Sequence, residues 1–273
     1  EPGTKALVLS VLGQAPKGTD PHIQFLAKNL RRCDWVIEAA EKLKNDKPLI
    51  LGWPDWLNLI SAECLKPYHE ESFWHMQNVK KMVSQLRKMI ETHGIHSIPS
   101  YGYSDFRRVR QNFNLSERDW QLLSSASWFH DLGRMGYSVE FWNTPGKFTE
   151  DQRKALEAHA RLFFYLGEFF NVNREVIGLS VLHHYPNKHY PHNGIVEKLN
   201  DLLLSDSFNL KLHILILLDC YEGITGQRGY QRKAFSHDDA VKKLPGELAG
   251  VGTGLIPFIH ALRDTNPKGV VRS

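Results

Sequence analysis

The stretch LKLHILILLDCYEGIT, residues 210–225, is apolar enough to be a central buried helix, yet it carries Asp219. A carboxylate inside a protein is costly unless something compensates it. SWFHDLGRMG, residues 127–136, poses the same problem, because its apolar run ends in adjacent His130 and Asp131, followed by a glycine and an arginine. Taken alone, this second stretch reads as a helix C-terminus, with Gly133 ending the helix and Arg134 solvating the last carbonyls. The competing reading is a metal site, in which an ion balances the buried charge.

The rest of the chain bears on that choice. From about residue 66 the pattern is overwhelmingly helical. Met76, Val79, Val83, Leu86 and Ile90 share one helix face, Ser116 and Asp119 form a cap pair, and Thr149 with Gln152 has capping-box spacing. NREVIGLSVLHH reads as a helix stopped by Pro186, and Ser236 caps another. Five of these helices deliver metal-competent side chains: Glu71 and His75, four apart on one face, then His130-Asp131, His159, His183-His184 and Asp219. Each residue alone is better explained as a satisfied core or terminal group. Together they would require separate compensation in five helices, whereas one metal cluster inside a bundle satisfies all of them.

Residues 1–65 differ in texture and read as a small N-terminal module. ALVLSVL (6–12) and PLILGW (48–53) are short apolar runs expected to be strands. Between them, Asp20-Pro21 opens one helix and WVIEAAEKLK (35–44) continues helical, so the module is expected to be α/β. The first residues lack the basic start and apolar core of a signal peptide, and Glu1 is not a natural initiator, so the true start is expected upstream. No stretch has the roughly 20 apolar residues of a membrane span. Cys33, Cys64 and Cys220 are odd in number and far apart, which argues against a disulfide framework or a thiolate zinc site and fits a reducing cytoplasm. A net charge of +4 suits anionic ligands but is too weak to imply a nucleic-acid polymer.

The order His, His-Asp, His, His-His, Asp resembles the HD superfamily of metal phosphohydrolases, and more narrowly its HD-GYP branch, the cyclic di-GMP phosphodiesterases. FHDLGRMG, EAHARLF, LHHYPNKHYP and LDCYEGITGQRGYQRKAFSHDDAVKKL carry the likeness, which spans about residues 66 to 265. The resemblance implies a helical HD-type bundle over 66–273 around a multinuclear metal site. By it, His75, His130, Asp131 and Asp219 hold one ion, and Asp131 bridges to a second held by His159, His183 and His184. Glu71 matches a position that supports a third metal in some members. Nitrogen and oxygen ligands without thiolate suit iron first and manganese next, with zinc and nickel still open. The implied chemistry is phosphodiester hydrolysis by a hydroxide bridging two cations, with Asp131 and Arg134 as catalytic residues.

The substrate side departs from the family pattern. Arg134 replaces the usual Lys, His189 stands where the signature Gly precedes Tyr190 and Pro191, and Phe163 replaces a Gly. Arg228 matches a phosphate-contacting arginine, while Gln231 takes the place of a basic residue, with Arg232 beside it. The implied substrate contacts are therefore Arg134, Tyr190, Arg228 and Arg232. Three functions remain open: hydrolysis of cyclic di-GMP, hydrolysis of another small nucleotide, and a sensor that binds a cyclic dinucleotide or a protein partner without turnover. Residues 1–65, too short for a complete receiver domain, fit a regulatory or docking role in each. His22, His69, His93, His96, His213, His237 and His260 read as surface or helix-end residues. His189 and His192 lie near the implied pocket. Arg107, Arg108 and Arg110 read as a solvated face, with a lid or anion-steering strip as the alternative.

Overall fold

The computed structural model describes residues 2–45, 52–67, 69–142, 149–184, 193–226, 234–248 and 251–265, with no strand among the described residues. The first helices are α1 (Pro2–Val11), α2 (Pro21–Leu30), α3 (Asp34–Lys44) and α4 (Trp53–Leu59), the last running into a π-helical turn over Ile60–Leu65. Then come α5 (Glu70–His93), α6 (Phe106–Asn112), α7 (Glu117–Phe129), α8 (Val139–Trp142) and α9 (Glu150–Phe169). The chain continues through α10 (Arg174–Leu182), α11 (Asn193–Leu199), α12 (Asp206–Thr225), α13 (His237–Glu247) and α14 (Pro257–Thr265). The helical bundle expected from the sequence is the observed architecture. None of these helices is long and apolar enough to cross a membrane.

Several local signals act where they stand. Asp20 caps α2 by accepting the His22 amide, with Pro21 in the first turn. Ser116 and Asp119 form a reciprocal capping box at α7, and Ser236 accepts the Asp239 amide at α13. At the centre lies α12, with Leu212, Ile214, Leu215, Leu217 and Leu218 all buried. Around it pack α5, α7, α10 and α13, which is how a helix apolar on every side is accommodated.

The N-terminal expectation needs correction. Residues 6–12 are not a strand but lie in and just beyond α1, whose Leu7 and Val11, four apart, are buried on one face. A short apolar run fits a strand or a buried helix equally well, and here the proline-initiated helix wins. Of the other expected strand, residues 48–51 lie outside the described residues, and Trp53 opens α4. The early helices pack on the elements that carry the candidate ligands. Asn29 donates to the Met135 carbonyl (2.6 Å), and Arg161 on α9 pairs with the capping Asp20 (2.7 Å). All three cysteines are free thiols, although the Cys33 and Cys64 sulfurs lie 3.0 Å apart.

Lys211 had no counterpart in the sequence reading. Its stem is buried on α12, and its ammonium reaches Asp119 on α7 (2.5 Å) and Glu175 on α10 (2.7 Å). The cation thus ties the first turns of two helices to the central one. Burial alone would raise the Asp119 carboxyl, but Lys211, Ser116 and Ser207 hold it well below the usual carboxylate range. A depressed carboxyl contributes stability above its unfolded pKa and loses it as pH falls through the folded value. Lys211→Met should therefore cost roughly 2 kcal/mol at neutral pH, the scale of a hydrogen bond to a charged group. The difference from wild type should shrink as pH drops below about 4, where unfolded carboxylates protonate. Urea unfolding at pH 7 and pH 2 measures both effects; an undiminished difference at pH 2 would argue against the ion pair as its source.

Candidate metal centre

Seven of the eight candidate ligands converge inside the bundle. His75 comes from α5, His130 and Asp131 from the end of α7, His159 from α9, His183 and His184 from the end of α10, and Asp219 from α12. The segment after Asp131 closes down as a 3₁₀ turn, Leu132–Gly136, directly against α9. Gly133 is what permits this approach. A Cβ there would lie 1.8 Å from the His159 carbonyl oxygen and 2.9 Å from the Phe163 amide nitrogen. Gly133 therefore brings the His-Asp pair up to the His159 backbone; its φ is not positive, so the expected role of a helix-ending glycine gives way to one of close contact. Phe163, where the family pattern has glycine, is fully buried in the core.

The histidines are oriented from behind. Nδ1 of His130 lies 3.0 Å from the Ser127 carbonyl oxygen, and Nδ1 of His183 lies 2.5 Å from that of Ser180. A carbonyl can only accept, so both Nδ1 atoms carry the proton and both Nε2 lone pairs face inward. His75 is held in the same sense by Glu222, whose other carboxylate oxygen accepts from Asn78 (2.8 Å). A histidine whose outer nitrogen donates to a carboxylate or carbonyl has the usual orientation of a metal ligand. Glu222 stands three residues after Asp219 in the sequence. That spacing places the two on one face of α12.

His75, His130 and Asp219 form a compact first group. Asp219 Oδ1 lies 2.8 Å from His75 Nε2 and 3.5 Å from His130 Nε2, and the two imidazole nitrogens are 3.2 Å apart. Metal–nitrogen bonds of about 2.1 Å span ligand atoms up to about 4 Å apart, so all three fit one ion. Facing lone pairs at this separation repel unless a proton or a metal ion lies between them. His159, His183 and His184 form a second group.

Asp131 stands between the two groups. Its Oδ2 faces His75 and His130 at 3.5 and 3.6 Å, while its Oδ1 faces His159 and His183 at 3.4 and 3.8 Å. Oδ1 accepts no hydrogen bond among the described residues, and neither does Nε2 of the buried His183. Orphaned lone pairs aimed at one another in a dry interior are what a cation would satisfy, so the residues fit a metal cluster.

The protonation states agree with this. Burial, together with the neighbouring His184 and His130, pushes His183 well below the ordinary imidazole range, and burial likewise lowers His184. Burial would raise both carboxyls, but the Arg134 guanidinium holds Asp131 well below the usual range, and the close approach of His130 and His75 lowers Asp219. Neutral imidazole and ionised carboxylate are the ligand forms. Cys220 lines the adjoining cleft, but burial pushes its thiol up, so it offers no thiolate at neutral pH.

Glu71 does not join either group and lies exposed at the start of α5. Arg134 pairs with Asp131 Oδ2 (2.7 Å), reaches Ser72 Oγ (3.4 Å), and lines a cleft of about 360 Å³. His184 and Asp219 open into this cleft, and Phe235, Lys243 and Glu247 form part of its walls. The Lys243 ammonium sits 4.2 Å from the centre of the Phe235 ring. Tyr190, Arg228 and Arg232, the other expected substrate contacts, lie outside the described residues.

These features define a helical protein with a buried histidine–aspartate cluster suited to transition metals. The chain is 25% identical over 141 residues to the cyclic di-GMP phosphodiesterase response regulator RpfG of Xanthomonas campestris pv. campestris (strain 8004). The match covers 50% of this chain and 34% of that protein, so the chain spans about a third of the length of this relative. No family model matches the chain, and no solved structure does. Glu222→Gln should weaken metal binding by roughly 10- to 100-fold while leaving the helical content unchanged, since outer-shell partners of ligating histidines act on that scale. Competition against a chromogenic chelator reads this directly, and wild-type affinity in the variant would exclude an orienting role for Glu222.

Proposed function

We propose that the chain is a metal-dependent phosphodiesterase that hydrolyses cyclic di-GMP. The observation that carries this reading is Asp131, whose two oxygens face two separate groups of inward-pointing histidines. The likeness to a cyclic di-GMP phosphodiesterase supports the substrate, and the ordered ligand motifs support the reaction class. In this reading His75, His130, Asp131 and Asp219 hold one ion, and Asp131, His159, His183 and His184 hold the second. The oxygen and nitrogen donors favour iron, then manganese. When bound, such ions supply a nucleophile at neutral pH and neutralise the phosphoryl oxygens.

The chain's own residues do the positioning. Glu222 and the Ser127 and Ser180 carbonyls keep the imidazoles in register, and the surrounding bundle keeps water from their back faces. Arg134 presents a permanent positive charge at the cleft, where a substrate phosphate would enter beside Asp219. Tyr190, Arg228 and Arg232 contribute further contacts by resemblance alone. Residues 1–65 serve as a regulatory or docking module, placed against the turn that follows the His-Asp pair.

A specific observation also favours a second reading. Arg134 already neutralises Asp131 Oδ2 (2.7 Å), which weakens that oxygen as a ligand and suits a sensor that binds without rapid turnover. The purified chain should carry two transition-metal ions, and Asp131→Ala should lose both; elemental analysis showing one ion or fewer in fully reconstituted wild type would remove the two-ion premise. Chromatography of cyclic di-GMP incubated with iron- or manganese-loaded protein separates the functions. Linear dinucleotide or GMP should form with wild type and not with Asp219→Asn. Tight binding with the nucleotide intact over hours would establish the sensor instead.

A further inference from the structure

A second cavity lies between α6 and the loop that leads into it, and it shares no lining residue with the metal cleft. Its volume is about 620 Å³, within the range of small-molecule sites. One wall is helical. Arg107, Arg110 and Gln111 stand at i, i+3 and i+4 on α6, so all three share a face, and all three line the cavity. The other wall is the loop, which contributes His96, Ser100 and Ser104. Among the described residues no carboxylate lines the cavity.

The walls are held in shape without a ligand. Tyr101 and Gly102 both have positive φ (48° and 86°), which turns the loop sharply between Ser100 and Ser104. The Tyr101 ring stacks on His260 (centroids 4.5 Å apart) and its hydroxyl donates to Asp264 (2.5 Å), which fixes that turn to α14. Asp105, the nearest acid in sequence, has its Cβ 3.1 Å from the point where a Gly254 Cβ would sit, so it packs toward the Thr253–Leu255 turn. Arg110 lies over the Phe106 ring (5.1 Å), and its Nε is buried with no hydrogen-bond partner among the described residues. Two guanidinium groups one helical turn apart repel each other, and no ion pair to either is present among the described residues.

We propose that this cavity binds the phosphate group of a phosphorylated ligand, an activity independent of the metal centre. Each guanidinium offers a planar fork of N–H donors that matches two phosphate oxygens, and a dianion between Arg107 and Arg110 removes their repulsion. The serine hydroxyls, the Gln111 amide and His96 complete the donor set. A monocarboxylate would occupy one fork and leave the other unanswered, so phosphate or pyrophosphate is the matching class.

Titration calorimetry with inorganic pyrophosphate tests the site in the full chain, in chelator-containing buffer so that the metal centre contributes nothing. Wild type and Asp219→Asn should bind equally. Arg107→Gln and Arg110→Gln should each weaken binding by roughly tenfold or more, the loss of one charge-assisted fork. Arg107 is exposed, so its variant tests the site without touching the Phe106 packing; Arg107→Lys should restore part of the affinity through charge alone. A parallel sedimentation assay with phosphatidic-acid vesicles, against phosphatidylcholine vesicles, identifies the source. Arginine-dependent vesicle capture assigns the phosphate to a lipid headgroup, and pyrophosphate binding without capture assigns it to a soluble ligand. No binding by wild type in either assay, or equal binding by both glutamine variants, overturns the proposal.

Discussion

The charge of Asp131 is the constraint around which this interior is organised. Its carboxylate is wholly buried, and an ion in that position is tolerated only with compensating charge and hydrogen bonds close by. Arg134 supplies one partner from the next turn, and four imidazoles face the two oxygens from four different segments. Two of those segments, α7 and α10, end at this place, while α5 and α9 run past it and present His75 and His159 from within the helix. Helices α7 and α10 both terminate where a histidine can bend its Nδ1 back to the carbonyl three residues earlier. The 3₁₀ turn after Asp131 lies flush against α9 because Gly133 has no side chain. Local geometry and buried charge thus lead to the same arrangement.

Much of this was legible in the sequence, for a physical reason. Polar residues set into apolar helical runs are anomalies in one dimension, and His130, Asp131, His159, His183 and Asp219 all stood out in that way. The caps at Asp20, Ser116 and Ser236 were legible because a cap is decided within four residues. Glu222 and Asn78 were harder to see, since their function depends on His75, which is remote in sequence. Lys211 was hidden for the same reason. An isolated lysine in a helical pattern looks like a surface residue until its carboxylate partners on two other helices are known. The strand expected over 6–12 failed because seven apolar residues do not distinguish a buried strand from one face of a helix.

The early helices alter how the centre should be viewed. Asn29 hydrogen-bonds to the turn after the His-Asp pair, and Asp20 to the helix that carries His159. Leu7, Leu26 and Leu57 belong to the same continuous core as Val79 and Leu215. Helices α1 and α2 therefore pack directly on the elements that carry Gly133 and His159.

The identity of residue 134 bears on catalysis as much as on the substrate. A lysine there would place a hydrated point charge on a flexible stem. The guanidinium instead has a planar fork, and here it spans Asp131 and Ser72 at once. Fixed in that way, its charge lies 2.7 Å from the carboxylate oxygen that faces His75 and His130, and the oxygen that faces His159 and His183 has no such ion pair. The two halves of the centre are thus electrostatically unequal before any cation enters. The more negative side is the one formed by His159, His183 and His184. Asp219 restores the balance on the other side, because its Oδ1 approaches both His75 and His130 more closely than Asp131 does. The chain therefore provides one carboxylate oxygen to each histidine group with no arginine attached, and this pairing keeps both positions competent for a cation.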